Sequence, residues 1–322
     1  MRLLSFPLIL SLALIALTPA SAWARFDGGA SPNAQRTTVA SAAPARPMPS
    51  ISRAEQAATA VVAPKAAPRV AQAPGVEPLS EWVLYLPPDA RNRQPLQVLV
   101  AMHGMGGNGP DFARPLLPNA EAMGWAVLAP TMPYRDFRDP ELVRRDGELL
   151  PRLKALVDSM PSQTGLTFQP QVMLFGFSRG SQEAHRFSFM YPELTRAVAG
   201  LSAGSYTLPS KVFRQNTFEQ VLNYPFGVSD VEKICGRVFN AEAAQKVNYW
   251  IAVGAGDNRN EDVPRQWDRL LGINRVERAQ RFVTALQQLG AQASLTVYPN
   301  VGHEVTTQMQ AEALRYLASV SS

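Results

Sequence analysis

Cysteine is almost missing from this chain. Cys235 is the only one in 322 residues, so no disulfide can close within the chain and no cysteine-built zinc site can form. Histidine is nearly as scarce: any imidazole chemistry must come from His103, His185 or His303. An excess of one charge is also absent where it would matter. The formal net charge of +5 comes from 31 Lys and Arg against 26 Asp and Glu. Seven of those basic and three of those acidic residues lie within residues 1–77, leaving 24 basic and 23 acidic groups for the rest. A nucleic-acid binder needs a basic face on its folded part to displace counterions from phosphates, and with most of the excess in residues 1–77 no nucleic-acid partner is expected. A hydrophobic content of 46% excludes the other extreme, a chain too polar to build a core.

One long apolar run is present, Leu3 to Leu17, behind the positive start Met1-Arg2. It is short for a bilayer span and runs into Ala20-Ser21-Ala22-Trp23-Ala24, where small residues alternate as a signal-peptide cleavage site requires. Residues 1–24 are expected to be a signal peptide, which puts the mature chain in the periplasm or outside the cell with no integral membrane span. Residues 25–77 are rich in Ala, Pro, Ser and Val and poor in large apolar side chains, the composition of a disordered tether. The remaining 78–322 are expected to fold.

In that part short apolar runs alternate with helical periods. Strands are expected at 81–86, 96–102, 125–129, 171–175, 197–201, 249–253 and 294–298, and helices at 141–159, 181–190, 278–289 and 305–320. Apolar strands alternating with helices predict an α/β fold, a mostly parallel sheet flanked by helices, whose ligands bind at the carboxyl ends of the strands. The weakly periodic stretch 205–247 is expected to be a small lid insertion.

The motifs fall at those strand ends. Gly176-Phe177-Ser178-Arg179-Gly180 is a Gly-x-Ser-x-Gly element between a strand and a helix. Only about 0.1 copies are expected by chance in a chain of this length, and glycines on both sides let a tight turn lift the serine hydroxyl clear of the sheet. A serine nucleophile needs a base. His303 lies in a loop between the last strand and the last helix and is the candidate. His185 lies within the helix after Ser178 and reads as a structural hydrogen-bonding residue, and His103 as an anchor for the loop it opens. The base needs an orienting carboxylate. Asp257, directly after the strand 249–253, is favoured over Asp262 and Asp268. Two N–H donors for an oxyanion are expected from Arg179 and from Met105, in the loop His103-Gly104-Met105-Gly106-Gly107. Gly104 and Gly106 let that backbone approach a substrate, and Tyr206, Tyr224, Phe226 and Trp267 are candidate pocket walls. No cofactor and no metal is called for.

The order Ser178, Asp257, His303, with the His-Gly-x-Gly-Gly loop upstream, resembles the α/β-hydrolase superfamily across residues 78–322. The run FGFSRGSQEAHRFSFMYPELTRAVAGLSAGSYTLP resembles secreted esterase-like members related to polyhydroxybutyrate depolymerases and feruloyl-type esterases. The resemblance implies an eight-stranded sheet and hydrolysis of a small or polymeric carboxylic ester through an acyl-enzyme. Two departures stand out: the loop reads HGMGGNG where many lipases have HGGG, and the family's disulfides cannot form. A peptidase or amidase, an acyltransferase and a non-catalytic binding protein on the same fold are the rival readings.

Overall fold

Several strands are apolar at every position rather than every second one, and such strands need a cover on both faces. The computed structural model describes residues 61–62, 76 and 79–321, all within a unit spanning Ala57–Ser322. The expected signal peptide lies outside the described residues, as does all of the expected tether but Val61, Val62 and Val76.

The elements run β1 (Val61–Val62), β2 (Trp82–Tyr85), β3 (Val98–Met102), α1 (Gly109–Ala113), α2 (Leu117–Ala122) and β4 (Ala126–Pro130). Next come α3 (Pro140–Asp146), α4 (Leu149–Thr164), β5 (Val172–Phe177), α5 (Arg179–Met190) and β6 (Thr195–Leu201). A hairpin of β7 (Val212–Gln215) and β8 (Phe218–Val221) follows, then α6 (Glu232–Cys235) and α7 (Ala241–Ala244). The chain closes with β9 (Asn248–Gly254), α8 (Asp268–Leu271), α9 (Arg275–Leu289), β10 (Gln292–Tyr298) and α10 (Thr307–Ser319).

Eight strands form one sheet in the order β1-β2-β4-β3-β5-β6-β9-β10. All neighbours from β4 to β10 are parallel, and β1 and β2 run antiparallel at one edge. Side chains of β3 alternate between two cores. Val98, Val100 and Met102 join Leu153 and Leu156 of α4, Phe187 of α5 and Phe282 of α9, whereas Leu99 and Ala101 join Ala113 of α1, Ala120 of α2 and Leu314 of α10. Each large apolar side chain so buried contributes about 1.5–3 kcal/mol. The strand order reverses direction at β3, between β4 and β5, and the crevice above such a switch point is where this kind of sheet holds a ligand.

The helix expected over 141–159 is two helices. The chain turns at Gly147, where a Cβ would come within 2.8 Å of the Tyr224 ring, and the turn leaves Asp146 fully buried at the end of α3. Val61 and Val62, within the expected tether, pair with Tyr85 and Leu84 as a short edge strand. The insertion does not act as a roof. It packs along the helices, with α6 against α4, Phe239 edge-on to Phe189 of α5 at 5.7 Å, and Asp230 accepting from Arg144 of α3 at 2.7 Å. Under that cover every residue of α5 is buried.

Candidate active site

Three loops at the carboxyl ends of β5, β9 and β10 meet over the switch point. The first is the turn from β5 into α5. Ser178 sits there with φ 52° and ψ −112°, a conformation that L residues rarely adopt. Its flanking glycines are obligatory. A Cβ on Gly176 would lie 2.5 Å from the Gly180 carbonyl oxygen, and one on Gly180 would overlap the Met102 carbonyl. The turn is further fixed by Ser178 N–H donating to Leu201 O at 2.8 Å.

The second and third loops are seated on each other. Gly256 N–H donates to Val301 O at 2.9 Å and Ala255 N–H to Tyr298 O at 2.8 Å. A Cβ on Gly254 would overlap the Val301 carbonyl, so only glycine allows the two backbones this close. Three residues beyond His303, the Thr306 side chain accepts from Met309 N–H, caps α10 and ends the loop.

These supports bring Ser178, His303 and Asp257 together. His303 Nδ1 lies 2.8 Å from Asp257 Oδ2, and His303 Nε2 lies 3.0 Å from Ser178 Oγ. A carboxylate can only accept, so Nδ1 carries the proton, Nε2 is left as acceptor, and the serine hydroxyl donates to it. Asp257 is 4% exposed, whereas the His303 side chain keeps 32% of its surface in solvent. The Phe177 ring lies against the imidazole with centroids 4.9 Å apart. The competing acids are engaged elsewhere: Asp262 pairs with Arg259, and Asp268 with Arg265 and Arg278.

The glycine loop passes over the serine. A Cβ on Gly104 would be 3.5 Å from Ser178 Cβ. Gly107 N–H closes a turn onto Gly104 O at 3.2 Å, Gly106 takes φ 73° within it, and the Met105 side chain projects outward. His103 anchors this loop, as expected. Its Nδ1 donates to Gly104 O at 2.6 Å and its Nε2 accepts from Met132 N–H at 2.9 Å. Burial holds its imidazole below the ordinary value. His185 is structural as well, with Nδ1 on Ser181 O at 3.0 Å and Nε2 accepting from Thr207 N–H at 2.9 Å. Burial, and then the Arg186 guanidinium, hold it well below the ordinary imidazole range.

Arg179 divides its roles. Its backbone opens α5 beside Ser178, and its side chain is sealed inside, paired with Asp146 and Glu183. Arg186 joins Glu183 from the next turn at 2.7 Å. Asp146 also accepts from the Arg135 backbone N–H, tying the loop after β4 to the helix that follows Ser178. Tyr206 is a correction. Expected to touch substrate, it is wholly buried, stacked on Phe282 with centroids 4.3 Å apart. Trp267 and Tyr224 are likewise interior, and Phe226 packs on Trp267. The insertion and α9 consume these rings as core. Among the described residues no group of three or more His, Cys, Asp or Glu is arranged to hold a metal ion, and no helix is long and apolar enough to cross a membrane.

No protein-family model matches the chain, and no curated protein matches it. Solved structures do. Poly(aspartic acid) hydrolase-1 from Sphingomonas sp. KT-1 is similar with a TM-score of 0.56 at 21% identity, over 73% of this chain and 91% of that one. A phospholipase/carboxylesterase from Dyadobacter fermentans is similar with a TM-score of 0.50 at 17% identity, over 74% of this chain and 96% of that one. At such identities the likeness is one of architecture, and the architecture is the α/β-hydrolase fold.

Proposed function

From that fold and the meeting of its three loops, we propose that this chain is a secreted or periplasmic serine hydrolase that cleaves carboxylic esters through an acyl-enzyme. The observation that carries the reading is the continuous hydrogen-bonded chain from the Ser178 hydroxyl through His303 to Asp257. His303 Nε2 takes the hydroxyl proton as Ser178 Oγ attacks the ester carbonyl. The backbone N–H groups of Arg179 and Met105 hold the oxyanion. The tetrahedral intermediate collapses, the alcohol leaves with the proton from His303, and a water deprotonated by His303 then releases the acid and frees Ser178. Asp257 stays ionised and stabilises the transient imidazolium.

The half-buried Ser178 and the partly exposed His303 favour a bulky or polymeric ester, because solvent already reaches the hydroxyl and the imidazole that such a substrate must meet. The narrower kinship with polyhydroxybutyrate depolymerases and feruloyl-type esterases rests on the sequence run around Ser178 alone.

The test is labelling by a fluorophosphonate probe, with the modified peptide found by mass spectrometry, followed by paired ester and anilide substrates. Label on Ser178 and turnover of the ester are expected, both lost in Ser178→Ala. A folded protein that resists small and bulky probes alike defeats the reading, and preferential cleavage of the anilide turns it toward an amidase. Export is checked by the mature N-terminus, expected at Trp23 or Arg25.

A further inference from the structure

The carboxylate that meets His303 has a second partner. Asp257 Oδ1, the oxygen His303 does not use, accepts from Arg275 Nη1 at 2.8 Å. Both residues are buried, and Arg275 is the first residue of α9. Its Nη2 donates to the Asp262 carbonyl at 2.9 Å, and its Nε is buried without a hydrogen-bond partner among the described residues. The start of α9 is itself pinned. Asn274 caps it through Glu277 N–H, and Arg278 donates to the carbonyls of Gly272, Gly204 and Pro264.

Two physical consequences follow. A carboxylate at this depth is costly unless paired, and Arg275 supplies the pair. The guanidinium also holds Oδ1 from one side while His303 Nδ1 meets Oδ2 on the other, and its second bond, from Nη2 to the Asp262 carbonyl, fixes the direction from which Nη1 approaches. Three groups bear on Asp257: His303 from the loop after β10, Arg275 from α9, and the buried Tyr206 hydroxyl from the segment after β6, which lies within electrostatic range.

We propose that Arg275 is a positioning residue for the Ser178–His303–Asp257 chain, fixing the Asp257 carboxylate toward Nδ1 and tempering its charge so that Nε2 stays an acceptor for Ser178. The kinetic side of this proposal rests on the hydrolase reading above; the geometric side does not.

The experiment compares wild type, R275M, R275K and S178A by fluorophosphonate labelling and by hydrolysis of p-nitrophenyl butyrate from mildly acidic to mildly alkaline pH. R275M is expected to lower kcat about 10- to 100-fold with KM within about twofold. Asp257 then faces the imidazole without its counter-charge, which favours imidazolium, so the acidic limb of kcat/KM moves to higher pH. R275K restores the charge without the fork and recovers part of both. Wild-type kcat and an unmoved limb in R275M overturn the proposal and leave the hydrolase reading intact. A lower rate with an unmoved limb, not restored by R275K, marks a merely structural arginine and overturns it equally. If R275M does not fold, R275K carries the test: a loss of about 3- to 10-fold at constant KM supports the proposal, and no loss overturns it. If wild type is neither labelled nor active, the hydrolase reading falls, and proton NMR decides the geometry. A low-field Nδ1–H signal of His303 that is lost or shifted in R275M supports the positioning role, and an unchanged signal overturns it.

Discussion

The buried flank of α5 and the open mouth at its N-terminus hold the same kinds of side chain under opposite conditions. On the flank, both nitrogens of His185 are committed to backbone groups, Ser181 O and Thr207 N–H. At the mouth, His303 gives one nitrogen to Asp257 and turns the other to a hydroxyl. A backbone amide does not surrender its proton at neutral pH, whereas a serine hydroxyl can when an electrophile receives the oxygen. The arginines divide in the same way. Arg179 and Arg186 share Glu183 in a sealed network that holds a helix, and Arg275 gives Nη1 to the one carboxylate that faces His303 and Nη2 to the Asp262 carbonyl. Of the two imidazoles, only His303 faces a hydrogen-bond partner that can let go.

The contrast breaks most completely at the mouth. Ser178→Ala or His303→Ala should lower ester turnover about 10³- to 10⁵-fold with the fold unchanged, measured by steady-state kinetics beside circular dichroism. Gly180→Ala attacks the support instead of the chemistry. Its methyl overlaps the Met102 carbonyl, so a loss of about 3 kcal/mol in denaturant unfolding should accompany the loss of activity.

On the flank the readout is stability against pH. His103 and His185 have folded pKa values lowered from 6.5, so below about pH 6.5 the unfolded chain takes up protons that the folded chain refuses. Their contribution is complete above the unfolded value and falls with acidification, by about 1.4 kcal/mol per pH unit for each group until the folded value is reached. His185→Gln, which can keep both hydrogen bonds, should flatten the acid slope of urea midpoints, and an unchanged slope would contradict the assignment. The smallest effects are expected from Asp262→Asn and Met105→Ala, within about threefold in kcat/KM, because Asp262 offers Arg275 a carbonyl and Met105 offers only its backbone. A collapse of activity in Asp262→Asn would reassign the acid.

Much of this was legible in the sequence because its devices leave local marks. The turn around Ser178 demands glycines at both flanks, three histidines leave few bases to choose from, and apolar strands announce a sheet covered on both faces. Asp257 and Asp262 both follow β9, and only the seating of Gly256 on Val301 separates them. Nothing local marks the Arg179, Glu183, Arg186 stripe as interior, and it is buried because the insertion lies along α5. The rings of Tyr206 and Trp267 were drawn into that same packing. The need for glycine at the break was invisible because the ring it makes room for, Tyr224, lies far away in the chain. Arg275 did leave a signal that went unread. A cation at the first position of a helix opposes the macrodipole, and a residue that breaks a local rule has a partner elsewhere.

The spacing between Asp257 and His303 is written in main chain rather than in side chains. Because Gly254 and Gly256 rest directly on the backbone of Val301, residues 254–256 and 299–302 behave as a single casting from two moulds. The two glycines and the turn they support can be exchanged with another scaffold only as a set, for either half transplanted alone would leave its carboxylate or its imidazole facing the wrong partner.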